Sequence, residues 1–180
     1  MTSMDESWTL RNGLKIHHRS VLAAMTNKQS HDDGCLSDNE INFLKRRAKG
    51  GFGIITTAAS HVQQSGQGWT GEMGVWSDDH IPGLARLADG IREYGSKSFA
   101  QLFHGGMRSP SSLTGQQAVS ASENFISNSE GSSREMTLDE VNETIRCFAA
   151  AAKRCEDAGF DGVELHGAHG YLIAQFLGAK

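Results

Sequence analysis

Two histidines three residues apart, His166 and His169, close an apolar run in the segment 162–172, GVELHGAHGYL, with glycines at 167 and 170 and a tyrosine at 171. On an extended strand Glu164 and His166 are two residues apart and share a side. A turn at Gly167 then brings His166 and His169 together. Two imidazoles so placed can donate paired N–H bonds to one oxygen and stabilise negative charge growing on a carbonyl or nitro group. Tyr171 is the group nearby that could deliver a proton. Two plainer readings of the same residues stay open: buried, hydrogen-bonded histidines that pack a loop, or a metal-ligand set completed by Glu164. Metal-dependent hydrolase barrels tend to start from an HxH pair on their first strand. This chain has adjacent His17 and His18 instead, so no metal is expected.

These side chains need a frame, and the rest of the chain supplies one. Asn12-Gly13 between short extended pieces is a hairpin signal, so residues 1–18 read as an N-terminal β-hairpin. Residues 21–25 form a short apolar run ending in Thr26 and Asn27, which suits a buried strand with a polar end. Ser37 to Glu40 has the spacing of a capping box, Ile41, Leu44 and Ala48 keep helical spacing after it, and Gly50-Gly51 can end the helix. Residues 53–59 read as a second strand. A helix over 79–94 follows, with Ile81, Leu84, Leu87, Ala88 and Ile91 on one stripe and Gly95 at its stop. The third strand, 98–103, carries Gln101 and leads into His104. After a long polar stretch, Thr137 to Glu140 repeats the capping pattern for a helix ending near Ala158, and 161–165 is the fourth strand.

Apolar strands alternating with helices predict parallel βαβ units with right-handed crossovers. Both a doubly wound sheet and a barrel satisfy that alternation. Thr26, Gln101, His104, His166 and His169 fall at the C-terminal ends of successive strands, the face where barrel enzymes build their sites. The fold expected is therefore α/β, a TIM (β/α)₈ barrel of which residues 19–180 supply four βα units, a half-barrel, within a single domain 1–180.

Composition narrows the function classes. With 17 basic and 21 acidic residues interspersed and a net charge of −4, the chain has no footprint for nucleic acid or anionic lipid. No run approaches the ~18 apolar residues of a membrane span, and the N-terminus is polar and acidic, so the expected location is cytoplasmic. Cys35, Cys147 and Cys155 lack a CxxC spacing and read as reduced thiols. Gly66 to Gly71 matches GxGxxG by chance, since no helix opens there. Trp69 is a candidate substrate neighbour and Trp76 a packing residue. His61 and His80 read as surface or loop residues.

The segments HGAHGYLIAQFL, GVWSDDHIPG, QLFHGG and LAAMT together resemble the old yellow enzyme family of FMN-dependent NAD(P)H oxidoreductases, over nearly the whole chain from about Leu10. The resemblance implies a (β/α)₈ barrel with FMN across its C-terminal mouth. It implies that Ala23, Ala24, Met25 and Thr26 pass along the flavin, with Thr26 tuning it. Ala59 would leave room for the ring, and Gln101 would bond its pyrimidine edge. His166 and His169 would grip the oxygen of an activated alkene, with Tyr171 as proton donor, in an ene-reductase using NADH or NADPH on a small-molecule substrate. Ala24 stands where many members have proline, and Thr26 where one subgroup has cysteine. The family's later strands supply an arginine beside the flavin and the phosphate-binding turns. The partner expected is therefore a C-terminal half or a second copy. The alternative is a catalytically silent, self-associating half-barrel without an FMN phosphate site.

Overall fold

The computed structural model describes residues 3–4, 6–126 and 131–178. Met1, Thr2 and Asp5 of the expected hairpin unit, and Ala179 and Lys180 at the other end, lie outside the described residues.

The chain opens with the antiparallel pair β1 (Trp8–Thr9) and β2 (Lys15–Ile16). Its turn is the expected one: Gly13 adopts φ +88°, and the Asn12 carboxamide oxygen accepts the Leu14 N–H at 3.1 Å. The main sheet follows. Strands β3 (Val21–Leu22), β4 (Ile54–His61), β6 (Lys97–Phe103) and β10 (Gly162–Leu165) lie side by side in that order, all parallel, and the short β5 (Met73–Gly74) pairs parallel with the C-terminal end of β4. Consecutive parallel strands moving steadily in one direction are the start of a barrel, because a doubly wound sheet would reverse its order.

Helices α1 (Asp38–Lys49), α2 (Ile81–Arg92) and α4 (Leu138–Asp157) are the crossovers. Their apolar stripes, Ile41, Leu44 and Ala48 on α1, Leu84, Leu87 and Ile91 on α2, and Ala151 and Cys155 on α4, form one core with Ile55, Ala100 and Leu102 of the sheet. At the bottom of the sheet Asp161 holds the last strand in register: it pairs with Lys97 at 3.0 Å and accepts the Ser98 N–H at 3.0 Å.

Four expectations need correction. The first strand is only two residues long, because beyond Leu22 the backbone leaves the ladder, and Asn27 and Ser30 bond the carboxylate of Glu40 instead. That carboxylate is therefore not the returning half of a capping box; only the Ser37 half forms, accepting the Glu40 N–H at 3.2 Å. At α4 both halves form, with Thr137 and Glu140 each accepting the other's backbone N–H. Not every strand is apolar and covered on both faces, since β10 is a free edge on which Glu164 and Leu165 are exposed. The polar stretch after β6 also contains structure: α3 (Ser111–Thr114) and a small sheet of β7 (Val119–Ser120), β8 (Asn124–Ile126) and β9 (Gly131–Glu135). The chain ends in the short helix α5 (Leu172–Leu177). Among the described residues no helix is long and apolar enough to cross a membrane.

Candidate active site

A cavity of about 290 Å³ opens at the C-terminal ends of the parallel strands. Ala24, Thr26, Ala59, Gln101, His166, His169 and Tyr171 all line it, together with Trp69 and Glu164. Ala23 and Met25 do not; both are exposed on the segment that carries Ala24 and Thr26.

Each wall has a local cause. Ala59 reaches the mouth because β4 bulges: Thr56 pairs with Phe99 but Ala59 with Gln101, so three steps on one strand oppose two on the other. The Gln101 N–H displaced by the bulge donates to the Thr57 hydroxyl at 3.1 Å, which replaces a ladder bond and sets Ala59 beside Gln101. The Gln101 carboxamide donates to Glu164. Glu164 is thus engaged across the sheet rather than gathered with His166 and His169 into a ligand set, and no group of three potential ligands forms among the described residues.

The rings of His166 and His169 lie 5.1 Å apart, edge to face, and Tyr171 stacks edge-on against His166 at 4.9 Å and against Phe103 at 4.5 Å. His166 Nδ1 faces the Ala168 N–H at 3.4 Å. A backbone N–H can only donate, so Nδ1 accepts and the ring's own proton sits on Nε2. Burial, reinforced by His169 and opposed by Glu164, lowers the pKa of His166 and favours that neutral, donating form. His169 adopts φ +56°, a left-handed backbone that costs a non-glycine residue about 1 kcal/mol or more, and Gly170 follows at +66°. The double turn is clamped from outside. Arg108 donates to the His169 carbonyl at 2.6 Å while lying over the Tyr171 ring at 4.7 Å, and the Gln175 carboxamide donates to the Gly170 carbonyl at 2.7 Å. Gln175 also accepts the Met107 N–H at 3.2 Å. Sequence reading missed both clamps, because each acts on backbone more than 60 residues away or across a turn of unknown shape; the only signal was polarity near the HGAHGYL segment.

Three histidines lie elsewhere than expected. His104 is buried beneath Gly66 rather than lining the mouth; its Nδ1 accepts the Gly106 N–H at 3.0 Å, and burial drives its pKa down to about 4. His61 and His80 are buried, not surface residues. His80 accepts the Ser77 N–H at 3.2 Å and packs edge-on against Trp76, giving that tryptophan its packing role. His61 faces Glu72 at 3.7 Å. The glycines of 66–71 open no helix, but close approach explains two of them: a Cβ at Gly66 would lie 2.5 Å from the His104 ring, and one at Gly71 would lie 2.7 Å from the Lys28 carbonyl.

Strands that advance in one direction, with a cavity at their C-terminal ends, define the first half of a (β/α)₈ barrel whose mouth offers two convergent imidazoles and a phenol. Known proteins agree with that class. The profile of the NADH:flavin oxidoreductase / NADH oxidase family matches residues 8–180. A "Probable NADH-dependent flavin oxidoreductase" of Bacillus subtilis is 38% identical over 97% of this chain and 47% of its own length. The NADH:acrylate oxidoreductase of Vibrio harveyi is 37% identical over 98% of this chain and 18% of its own. The old yellow enzyme homologue from Zymomonas mobilis superimposes with a TM-score of 0.87 at 27% identity, over 95% of this chain and 50% of that one. The chain belongs to the NADH:flavin oxidoreductase / NADH oxidase family, the family of the old yellow enzymes. It spans about half the length, or less, of these relatives.

Membership implies FMN as cofactor and NAD(P)H as reductant. The residues present fit a flavin. Ala24 and Ala59 put only methyl groups on the cavity wall, and Thr26 and Gln101 offer a hydroxyl and a carboxamide to the heteroatom edge of a flat ring.

Proposed function

We propose that this chain carries the N-terminal half of the site of an FMN-dependent ene-reductase, with residues 1–180 acting as a single domain in which the hairpin of 1–18 precedes the four βα units of 19–180. The observation that carries it is the convergence of His166, His169 and Tyr171 on the cavity that also holds Thr26, Ala59 and Gln101. FMN supplies the hydride relay from NAD(P)H to the β-carbon of an activated alkene such as an enone. Thr26 and Gln101 would hold the flavin edge, and the two small alanines would admit its plane. His166, neutral and protonated on Nε2, would donate to the substrate oxygen beside His169, drawing electron density away from the β-carbon. Tyr171, packed against Phe103 and His166, would give a proton to the α-carbon. The name of the Vibrio harveyi relative fits this chemistry, since acrylate is an alkene activated by a carboxylate.

The test is an FMN titration followed by flavin fluorescence, then NADH or NADPH oxidation in the presence of 2-cyclohexenone. Quenching at micromolar protein and enone-dependent oxidation are expected. Unchanged flavin fluorescence would overturn the reading for the isolated chain.

A second reading, a catalytically silent half-barrel that self-associates, is favoured by the free edge. Beside β10, a groove of about 400 Å³ is walled almost wholly by apolar side chains, including Ile145, Phe148, Leu172, Phe176 and Leu177. Light scattering on the flavin-free chain separates the two: a monodisperse monomer removes this second reading.

A further inference from the structure

Two glutamates that do not line the cavity are sealed in the protein, and neither belongs to the proposed chemistry. Glu40 is 0% exposed and Glu72 1%. Burying a carboxyl group is costly unless its oxygens are hydrogen-bonded, and among the described residues no lysine or arginine pairs with either. Burial accordingly raises the pKa of both. Their partners are instead the backbone and small side chains of two loops. One oxygen of Glu40 accepts from the Asn27 carboxamide at 2.9 Å and the other from the Ser30 hydroxyl at 2.5 Å, immediately after Thr26. One oxygen of Glu72 accepts from the backbone N–H groups of Gly68 at 2.6 Å and Trp69 at 3.3 Å. Its other oxygen faces the buried His61.

The loops they hold also hold each other. The Ser30 N–H donates to the Gly71 carbonyl at 3.2 Å, and Gly71, at φ +76°, lies too close to the Lys28 carbonyl for any Cβ. Lys28 itself sits at φ +54°, a backbone state that needs outside support. The loop ends face the cavity: Thr26 lines it, and so does Trp69, whose ring is tilted against that of Phe103 with centroids 5.4 Å apart.

We propose that Glu40 and Glu72 are positioning residues, a pair of buried acceptors that fix Thr26 and Trp69 in the wall of the cavity. They touch neither cofactor nor substrate. This deepens the flavin reading and rests on it only for the meaning of the walls; the positioning itself is a property of the flavin-free chain.

The experiment therefore begins without flavin. The chain has three tryptophans, Trp8, Trp69 and Trp76. Labelled with 5-fluorotryptophan, it should give three ¹⁹F resonances, that of Trp69 identified by Trp69→Phe. In Glu72→Ala, with no acceptor for the Gly68 and Trp69 N–H groups, the Trp69 resonance should move by more than its linewidth while that of Trp8 stays in place. Glu72→Gln, which keeps an acceptor oxygen, should restore it. In chains labelled at the methionine methyls, Met25, next to Thr26, should shift in Glu40→Ala and return in Glu40→Gln. Flavin is then added, and each alanine variant should bind FMN about tenfold more weakly than its glutamine counterpart. A Trp69 resonance unmoved in Glu72→Ala overturns the proposal. So does a glutamine variant that collapses all three resonances to unfolded positions, since the carboxylates would then serve folding as a whole. A parent chain that fails to quench FMN while the ¹⁹F and methyl shifts appear as expected would remove the flavin reading and leave the positioning intact.

Discussion

At the mouth of the sheet, polar side chains are tied down by other parts of the chain: Arg108 and Gln175 hold the turn around His169 and Gly170, Thr57 takes the Gln101 N–H, and Glu72 holds the loop of Trp69. Beside β10, Leu165 is 60% exposed, Ile145 62% and Leu177 75%, with a groove of bare side chains between α4 and α5. The mouth is held by hydrogen bonds from within the chain, whereas the edge keeps apolar surface in water. Polar groups must find partners wherever they are buried, so a site can be rigid before its barrel closes. Apolar surface can stay bare at a modest cost until something covers it.

Substitutions can test that contrast. The largest effect is expected at the mouth: His166→Ala should lower enone-dependent NAD(P)H oxidation by about 10²–10³-fold, as removal of one oxyanion donor does, while FMN affinity stays within about tenfold. Comparable loss in FMN binding itself would make His166 part of the cofactor seat. Next is His104, buried and neutral with its pKa depressed to about 4. Its contribution to stability is fully present above the unfolded value of 6.5 and is lost as pH falls through about 4, a change of about 3 kcal/mol. Thermal melts between pH 7 and pH 4 should therefore fall steeply, and less so in His104→Asn. At the edge, Ile145→Glu with Phe176→Glu should weaken any self-association at least about tenfold in sedimentation equilibrium, with the mouth's FMN affinity unchanged. The smallest effect should come from Thr137→Ala, which removes the cap of the helix beneath that edge and should cost about 1 kcal/mol in denaturant melts.

The sequence made the alternation of strands and crossover helices legible because apolar stripes and caps are local signals. The ends of Gly13 and Gly95 as left-handed turns and the complete box at Thr137 were equally local. Long-range geometry was not. Strict alternation from Thr56 would aim Ala58 at Gln101; the bulge puts Ala59 there, and resemblance to the family, not periodicity, pointed to it. Ser37 and Glu40 had the spacing of a reciprocal cap, but a carboxylate that finds Asn27 and Ser30 in the interior does not turn back to its own helix. His61 and His80 lacked a visible partner because Glu72 and the Asp33 carbonyl reach them only after the loops fold. The three short strands between 119 and 135 carry no alternation to detect, being two, three and five residues long.

The left-handed backbone at His169 restricts what could replace it in a library screened for altered substrates. Glycine would relax the turn but remove the imidazole proposed to donate to the substrate, and branched side chains would fight the dihedral angle. Asparagine is the donor that tolerates this conformation, so a search at this position should return histidine and asparagine and little else.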